Sequence, residues 1–289
     1  MELPKGPIDA ATQVYGIFGS PVRHSLSPLI HNSQFKRLKM NAAYLAFEVS
    51  PDSLGLAFEA IRSLGIRGVN LTIPHKEDAL NFIDEIPEDV DRCVSALNTV
   101  VNRDGKLYGY NTDVPGFLVA LKEDLSFNPE GKTALVLGAG GAARGVVSAL
   151  ARARAERIFV CNRTQERAEG LRDYLGVFFP ETELETVSAI DLLREEKIDL
   201  VVNATSLGMK NGDALPMNLK TLSKQPRVYD LVYSAKLSPF LEEAKKLGLS
   251  YADGAGMLAA QAALSFELWT GQKEGVRESM LEILKERHA

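Results

Sequence analysis

The stretch Leu135-Val136-Leu137-Gly138-Ala139-Gly140-Gly141-Ala142-Ala143-Arg144 is an apolar strand that runs into glycines and out into a helix of small residues, a pattern few folds accommodate. Gly138 permits the tight turn, Gly140 lets backbone approach a pyrophosphate, and Ala143 stands where a third small residue packs helix against strand. The amino terminus of the helix offers unpaired amides to an anion, so Gly138, Ala139, Gly140, Gly141 and Ala142 together form a candidate phosphate cradle. The plainer reading is an ordinary strand-to-helix turn, and the glycine spacing in this context favours the cradle.

The surrounding rhythm agrees. From Lys132 onward the pattern predicts strand 133–137, helix 142–154, strand 157–161, helix 165–177, strand 183–187, helix 190–196, strand 200–204 and strand 228–232, an open doubly wound sheet. The second of these strands ends in Cys161-Asn162-Arg163-Thr164, where NAD enzymes usually carry an acidic residue for the ribose hydroxyls. No carboxylate stands there. Arg163, Thr164 and Arg167 supply positive charge and a hydroxyl instead, which suits a 2′-phosphate and favours NADP over NAD. The competing reading makes Arg163 and Arg167 solvated charges at a helix start.

Upstream, strand 13–19, helix 28–39, strand 43–49, helix 51–64 and strand 67–73 read as βαβ. Residues 96–102 and 106–110 read as a hairpin around Asp104-Gly105, giving an antiparallel edge on a mainly parallel sheet. Helix 114–125 leads to Ser126-Phe127-Asn128-Pro129-Glu130-Gly131, the best boundary signal in the chain, and 289 residues suit about two domains. Near the carboxyl end, Gly256 to Trp269 holds only Gln261, Ser265 and Glu267 as polar side chains and predicts a helix buried nearly all round. A second helix, 275–287, is amphipathic and covers a groove.

Composition narrows the function classes. Lys plus Arg (33) against Asp plus Glu (38) leaves a charge of -5, without the basic excess that nucleic-acid binding requires. Two cysteines, Cys93 and Cys161, make neither a disulfide framework nor, with His24, His31, His75 and His288, a metal-ligand spacing. A reducing cytoplasm fits. Met1 to Gln13 lacks the features of a signal peptide and no segment is long and apolar enough for a membrane span, so no membrane role is expected.

A nicotinamide enzyme that oxidises an alcohol needs a group to take the hydroxyl proton. No tyrosine is followed four residues later by Lys, which removes the short-chain solution, and the Cys/His inventory disfavours a zinc one. The run Asn70-Leu71-Thr72-Ile73-Pro74-His75-Lys76-Glu77 offers another: a strand stops and delivers Lys76 just past its carboxyl end, where ligands of parallel sheets bind. Asn111-Thr112-Asp113 ends the hairpin's second strand, so Lys76 and Asp113 can meet across one sheet edge and exchange a proton with a hydroxyl. Spacing alone would leave them a helix-start charge and an N-cap. His75 is either a tuner of Lys76 or an exposed helix-start histidine.

Seven ordered stretches resemble the shikimate dehydrogenase family over essentially the whole chain: Gly19 to Pro28, Asn70 to Glu77, Leu97-Asn98-Thr99, Asn111-Thr112-Asp113, Gly138 to Ala142, Asn162-Arg163-Thr164, and Asp253 to Leu258 followed by Gln261. The resemblance implies an NADP-dependent interconversion of 3-dehydroshikimate and shikimate on the route to chorismate and the aromatic amino acids. It implies a discontinuous, mainly parallel α/β substrate domain, 1–113 and 256–289, and a Rossmann-like doubly wound NADP-binding domain, 114–255. It makes Lys76 the acid/base with Asp113, Ser25 and Ser27 contacts to the substrate carboxylate, and Thr72, Asn98, Asp113 and Gln261 contacts to its hydroxyls. Tyr233 matches a tyrosine near the substrate, and Leu231 and Gly254 match cofactor contacts, alongside Asn162, Arg163, Thr164 and Arg167. Taken singly, Ser27 is also a good helix N-cap, and Thr72 and Asn98 pass as sheet residues. After Tyr233 the family often has Pro then Thr, whereas this chain reads Ser234-Ala235-Lys236-Leu237-Ser238-Pro239. A relative that accepts quinate or NAD, and a catalytically silent NADP-binding sensor, are the alternatives. The expected partner is a small-molecule substrate, with monomer and homodimer both open.

Overall fold

The computed structural model describes residues 8–87, 95–210, 212–233 and 236–287. Cys93, His288, the Ser234-Ala235 departure and the first seven residues of the amino-terminal reading lie outside the described residues. The chain divides into two compact units, one running up to Asp113 and resuming at Ala259–Glu286, the other formed by Val114–Leu258.

The first unit is a five-stranded sheet in the order β2-β1-β3-β4-β5, from β1 (Gln13–Gly19), β2 (Ala42–Glu48), β3 (Gly68–Leu71), β4 (Thr99–Arg103) and β5 (Lys106–Tyr110). The first three strands are parallel and the hairpin β4–β5 adds the antiparallel edge. Strand alternation turns Phe18 to one face and Tyr15 to the other. Phe18 joins Phe58 and Ile61 of α2 (Leu54–Ser63) in one core layer. Tyr15 packs on Phe35 of α1 (Ser27–Arg37) and on Trp269 of α7 (Ala255–Thr270), which with α8 (Val276–Glu286) form the other layer. The groove under the last helix is α1: Gln34 donates to Ser279 Oγ at 3.0 Å. As its composition requires, no residue of α7 is fully exposed.

The second unit is a six-stranded sheet: β6 (Thr133–Leu137), β7 (Arg157–Cys161), β8 (Glu183–Val187), β9 (Leu200–Asn203), β10 (Arg227–Asp230) and β11 (Tyr251–Ala252). All pairings are parallel and the order is β8-β7-β6-β9-β10-β11. Counted from β6 this is third, second, first, fourth, fifth, sixth, the doubly wound order whose direction reverses beside the first strand. That reversal, between β6 and β9, lies next to the glycine loop. The helices α3 (Asp113–Leu125), α4 (Gly141–Arg152), α5 (Gln165–Gly176) and α6 (Pro239–Lys246) complete the fold.

Three local expectations change. Residues 190–196 make only a short 3-10 turn, Ile190–Leu193, in which Leu193 is buried and Ile190 packs partly buried on the same core. The strand expected over 67–73 stops at Leu71, where the ladder to β1 ends. The sequence pattern predicts no element between 232 and 256, yet α6 and β11 form there. The signal was present: Ser238 caps α6 by accepting from Leu241 N at 3.2 Å, and Pro239 supplies the preset first turn. None of the described helices is long and apolar enough to cross a membrane.

Candidate active site

In the first unit the carboxyl ends of β3 and β5 bring distant segments together. Lys76 lies in the turn after β3, Asn98 just before β4, and Asp113 follows β5. Lys76 Nζ donates to Asp113 Oδ2 at 2.6 Å, and Asn98 Nδ2 donates to Asp113 Oδ1 at 3.0 Å. Gln261, from α7, accepts from Asn98 Nδ2 at 3.4 Å. The Lys76 and Asp113 side chains keep 32% and 21% of their surface in solvent, so the pair meets both water and any ligand above it.

The orientation of Asn98 is fixed by backbone. The Thr112 N–H can only donate, and it reaches Asn98 Oδ1 at 2.7 Å, which turns the amide NH2 toward Asp113 and Gln261. Beneath lies a buried floor of polar side chains. Thr99, Thr112 and Ser265 hydroxyls cluster there, and Asn70 links Thr99 Oγ1 to the Tyr44 phenol, which donates to Asn70 Oδ1 at 2.7 Å. Sequence reasoning gave Thr99, Asn70, Tyr44 and Ser265 no role; the available signal was Asn70 inside a wholly buried strand.

The remaining residues expected in this unit lie at the start of α1 and just past β3. Ser27 is buried beside the Tyr44 phenol, and its backbone N–H donates to Ser25 Oγ at 3.2 Å. Ser27 is the first residue of α1 and not its N-cap, which is Leu26. Thr72 follows β3, its N–H bonded to the Phe18 carbonyl. His75 is neither exposed nor on Lys76: it is fully buried, and its Nε2 lies 2.8 Å from the Val49 carbonyl oxygen.

In the second unit, Gly138 has φ +115°, and a Cβ there would meet the Ala204 carbonyl oxygen at 2.9 Å, so the first glycine is demanded twice. Ala143, 0% exposed, seats α4 on the sheet. Cβ atoms built at Gly140 and Gly141 would meet nothing within 4 Å, which leaves open space over the α4 amino terminus. Past β7, Arg163 and Arg167 are exposed, and among the described residues no ion pair ties either to a carboxylate. Thr164 occupies the N-cap of α5 without making a side-chain cap bond. Open space, free amides and two unpaired cations fit a dinucleotide with a 2′-phosphate.

The turn bearing Leu231 and Tyr233 is held by residues that sequence reasoning passed over. Asp230, fully buried at the end of β10, accepts from Asn203 Nδ2 at 2.8 Å, Val232 N at 3.0 Å and Ser238 Oγ at 2.5 Å. Burial pushes its carboxyl above the usual range, against those three bonds, which pull it down. Gly254 lies so close that a Cβ would sit 2.2 Å from the Leu231 carbonyl oxygen. The structure thus gathers Leu231, Tyr233 and Gly254 in one place and the 138–142 cradle in another of the same unit.

Three family models match the chain: the shikimate dehydrogenase substrate binding domain over residues 17–100, shikimate / quinate 5-dehydrogenase over 121–210, and the shikimate 5'-dehydrogenase C-terminal domain over 254–285. A protein of Caldanaerobacter subterraneus subsp. tengcongensis named shikimate dehydrogenase (NADP(+)) is 43% identical over 267 residues, 92% of this chain and 94% of its own. The crystal structure of shikimate dehydrogenase from Aquifex aeolicus superimposes with a TM-score of 0.85 at 38% identity, covering 95% of this chain and 99% of that one. A shikimate 5-dehydrogenase from Thermus thermophilus, solved with NADP(H) and shikimate, gives 0.84 at 36% identity over 96% and 100%.

Proposed function

Because the chain belongs to the shikimate dehydrogenase family, an NADP-dependent oxidoreductase family acting on a CH–OH group, we propose that Lys76 and Asp113 carry the proton transfer of its reaction. The activity is the reversible NADPH-dependent reduction of 3-dehydroshikimate to shikimate, a step toward chorismate and the aromatic amino acids. The observation that supports the assignment is the 2.6 Å contact between Lys76 Nζ and Asp113 Oδ2, with the Asn98 and Gln261 amides converging on it.

Bound at the Gly138–Ala142 cradle, with Arg163, Thr164 and Arg167 on its 2′-phosphate, Asn162 beside them and Leu231 and Gly254 as further contacts, NADP supplies hydride transfer. The protein supplies the proton. In reduction, the Lys76 ammonium gives a proton to the carbonyl oxygen as negative charge develops there. Asp113 aims that ammonium and balances its charge through Oδ2. In oxidation the neutral Lys76 amine accepts the proton of the hydroxyl as hydride leaves. Asn98 pairs with a neighbouring ring hydroxyl through its NH2 and Gln261 through its amide, and Thr72 and Asp113 pair with further hydroxyls. Ser25 and Ser27 hold the carboxylate with neutral hydroxyls, and Tyr233 lies beside the substrate. We place this activity in the cytoplasm, with units 1–113 plus 256–289 and 114–255 serving substrate and cofactor.

The test is Lys76→Ala assayed with shikimate or quinate against NADP or NAD. Turnover of shikimate with NADP should fall by about 10³ while shikimate still binds, since the lost interaction is proton transfer. Near-native turnover removes Lys76 from the chemistry. Wild-type turnover that is faster with quinate or NAD moves the assignment to that relative, and none in any combination leaves an NADP-binding sensor.

A further inference from the structure

The polar side chains of α7 that face the sheet, Gln261, Ser265 and Trp269, recur every four residues and so lie on one stripe of a mainly apolar helix. Trp269 Nε1 donates to the Val100 carbonyl at 2.9 Å and pins the far end of the stripe to β4. Gln261 stands at the near end, within reach of Asn98. Ser265, between them, has no accessible surface and no contact with any candidate ligand position.

Its hydroxyl nevertheless has four polar partners, as the Thr99 and Thr112 hydroxyls of the floor do. It accepts from Asn70 Nδ2 at 3.0 Å, reaches the Gln261 carbonyl as a donor at 3.0 Å, and lies 2.7 Å from the Thr99 hydroxyl and 3.2 Å from the Thr112 hydroxyl. Those partners come from β3, β4 and the segment after β5, the same three places that deliver Lys76, Asn98 and Asp113. A purely packing residue on this helix would be Ala, as its neighbours Ala259, Ala260 and Ala262 are. A buried hydroxyl is costly unless its partners need it, and here the partners are the residues that frame the site.

We propose that Ser265 is a positioning residue for substrate recognition: it locks the α7 register against the Asn70–Thr99–Thr112 floor and thereby sets the distance between the Gln261 and Asn98 amides. The inference rests on the reading of Gln261 as a ligand to substrate hydroxyls. Losing the hydroxyl lets α7 slide on its Trp269 anchor, and the two amides lose the spacing that vicinal hydroxyls require.

Steady-state kinetics on the full chain with Ser265→Ala, Gln261→Ala and the double variant test it. Ser265→Ala should lower kcat/KM for shikimate about tenfold, mostly through KM, with the KM for NADP within about twofold of wild type. In the Gln261→Ala background the same change should cost less than about threefold, because the two act through one contact. Ser265→Cys, which keeps volume but bonds weakly, should reproduce the KM effect with native thermal stability. An equal factor in both backgrounds, a parallel rise in the NADP KM, or unchanged kinetics in Ser265→Ala overturns the proposal. If Gln261→Ala leaves the shikimate KM at its wild-type value, the ligand reading fails and takes the proposal with it; a damaged Gln261→Ala beside a silent Ser265→Ala overturns Ser265 alone.

Discussion

The two units build their sites from different materials. The first collects side chains from segments far apart in the chain, with Lys76, Asn98, Asp113 and Gln261 converging over a buried polar floor. The proposed cofactor site of the second is backbone, in one stretch from Gly138 to Ala142, with exposed cations just beyond the next strand. A backbone site is defined by where a Cβ cannot go, and a side-chain site by which hydrogen bonds orient which amide. The first kind should fail through a single methyl group, the second through a single lost donor.

Gly138→Ala is the sharpest way to break that contrast. The positive φ and the Ala204 carbonyl 2.9 Å from the new Cβ should together cost on the order of 3 kcal/mol, read as a ~100-fold weaker NADP dissociation constant by fluorescence titration. Shikimate binding should stay unchanged. An NADP affinity within about threefold of wild type would mean the loop tolerates a side chain and the cradle is not backbone-built.

Acid should separate the units next. His31, fully buried and stacked 4.4 Å from Tyr44, is held neutral, its pKa lowered from 6.5 to about 3 by burial. A depressed histidine stabilises the fold above its unfolded pKa and loses that contribution as pH falls from 6.5 toward 3, because only the unfolded chain takes up the proton. Between pH 7 and pH 5 the loss is about 2 kcal/mol. Asp230 in the second unit behaves oppositely: its raised pKa makes ionisation costly in the fold, so that penalty shrinks on acidification. Urea unfolding at both pH values should show the drop in wild type and its removal in His31→Phe. The same drop in the variant would assign the acid sensitivity elsewhere.

The smallest effect tests the exposed end of the cofactor site. Arg163→Ala should raise the KM for NADP about tenfold, near 1.4 kcal/mol, and leave the KM for NAD unchanged. Equal effects on both cofactors would refute the 2′-phosphate assignment.

How much could be read beforehand follows the same division. The glycine loop and the missing acid after β7 are spacings along one segment, so they were legible, as were the strands whose apolar runs have no helical alternative. The short 3-10 turn at Ile190–Leu193 was not, because its periodicity over so few residues matches a helix and only packing on the core decides its length. Lys76 and Asp113 were legible as a pair only through the ordered motifs, since nothing local distinguishes them from a surface charge and a cap. His75 shows the limit: its sequence position suggests solvent or Lys76, and a bond to the Val49 carbonyl is a property of packing.

Residue type and spacing within a few turns of chain suffice for the doubly wound unit, for the expectation of a 2′-phosphate and for the inventory of groups able to move a proton. Packing between distant segments sets which way the Asn98 amide faces, that Asp113 receives both Lys76 and Asn98, and that Ser265 joins α7 to the floor. Those are relations between segments up to 195 residues apart, fixed by directional hydrogen bonds in a dry interior, where an amide turned the wrong way would leave buried donors unpaired.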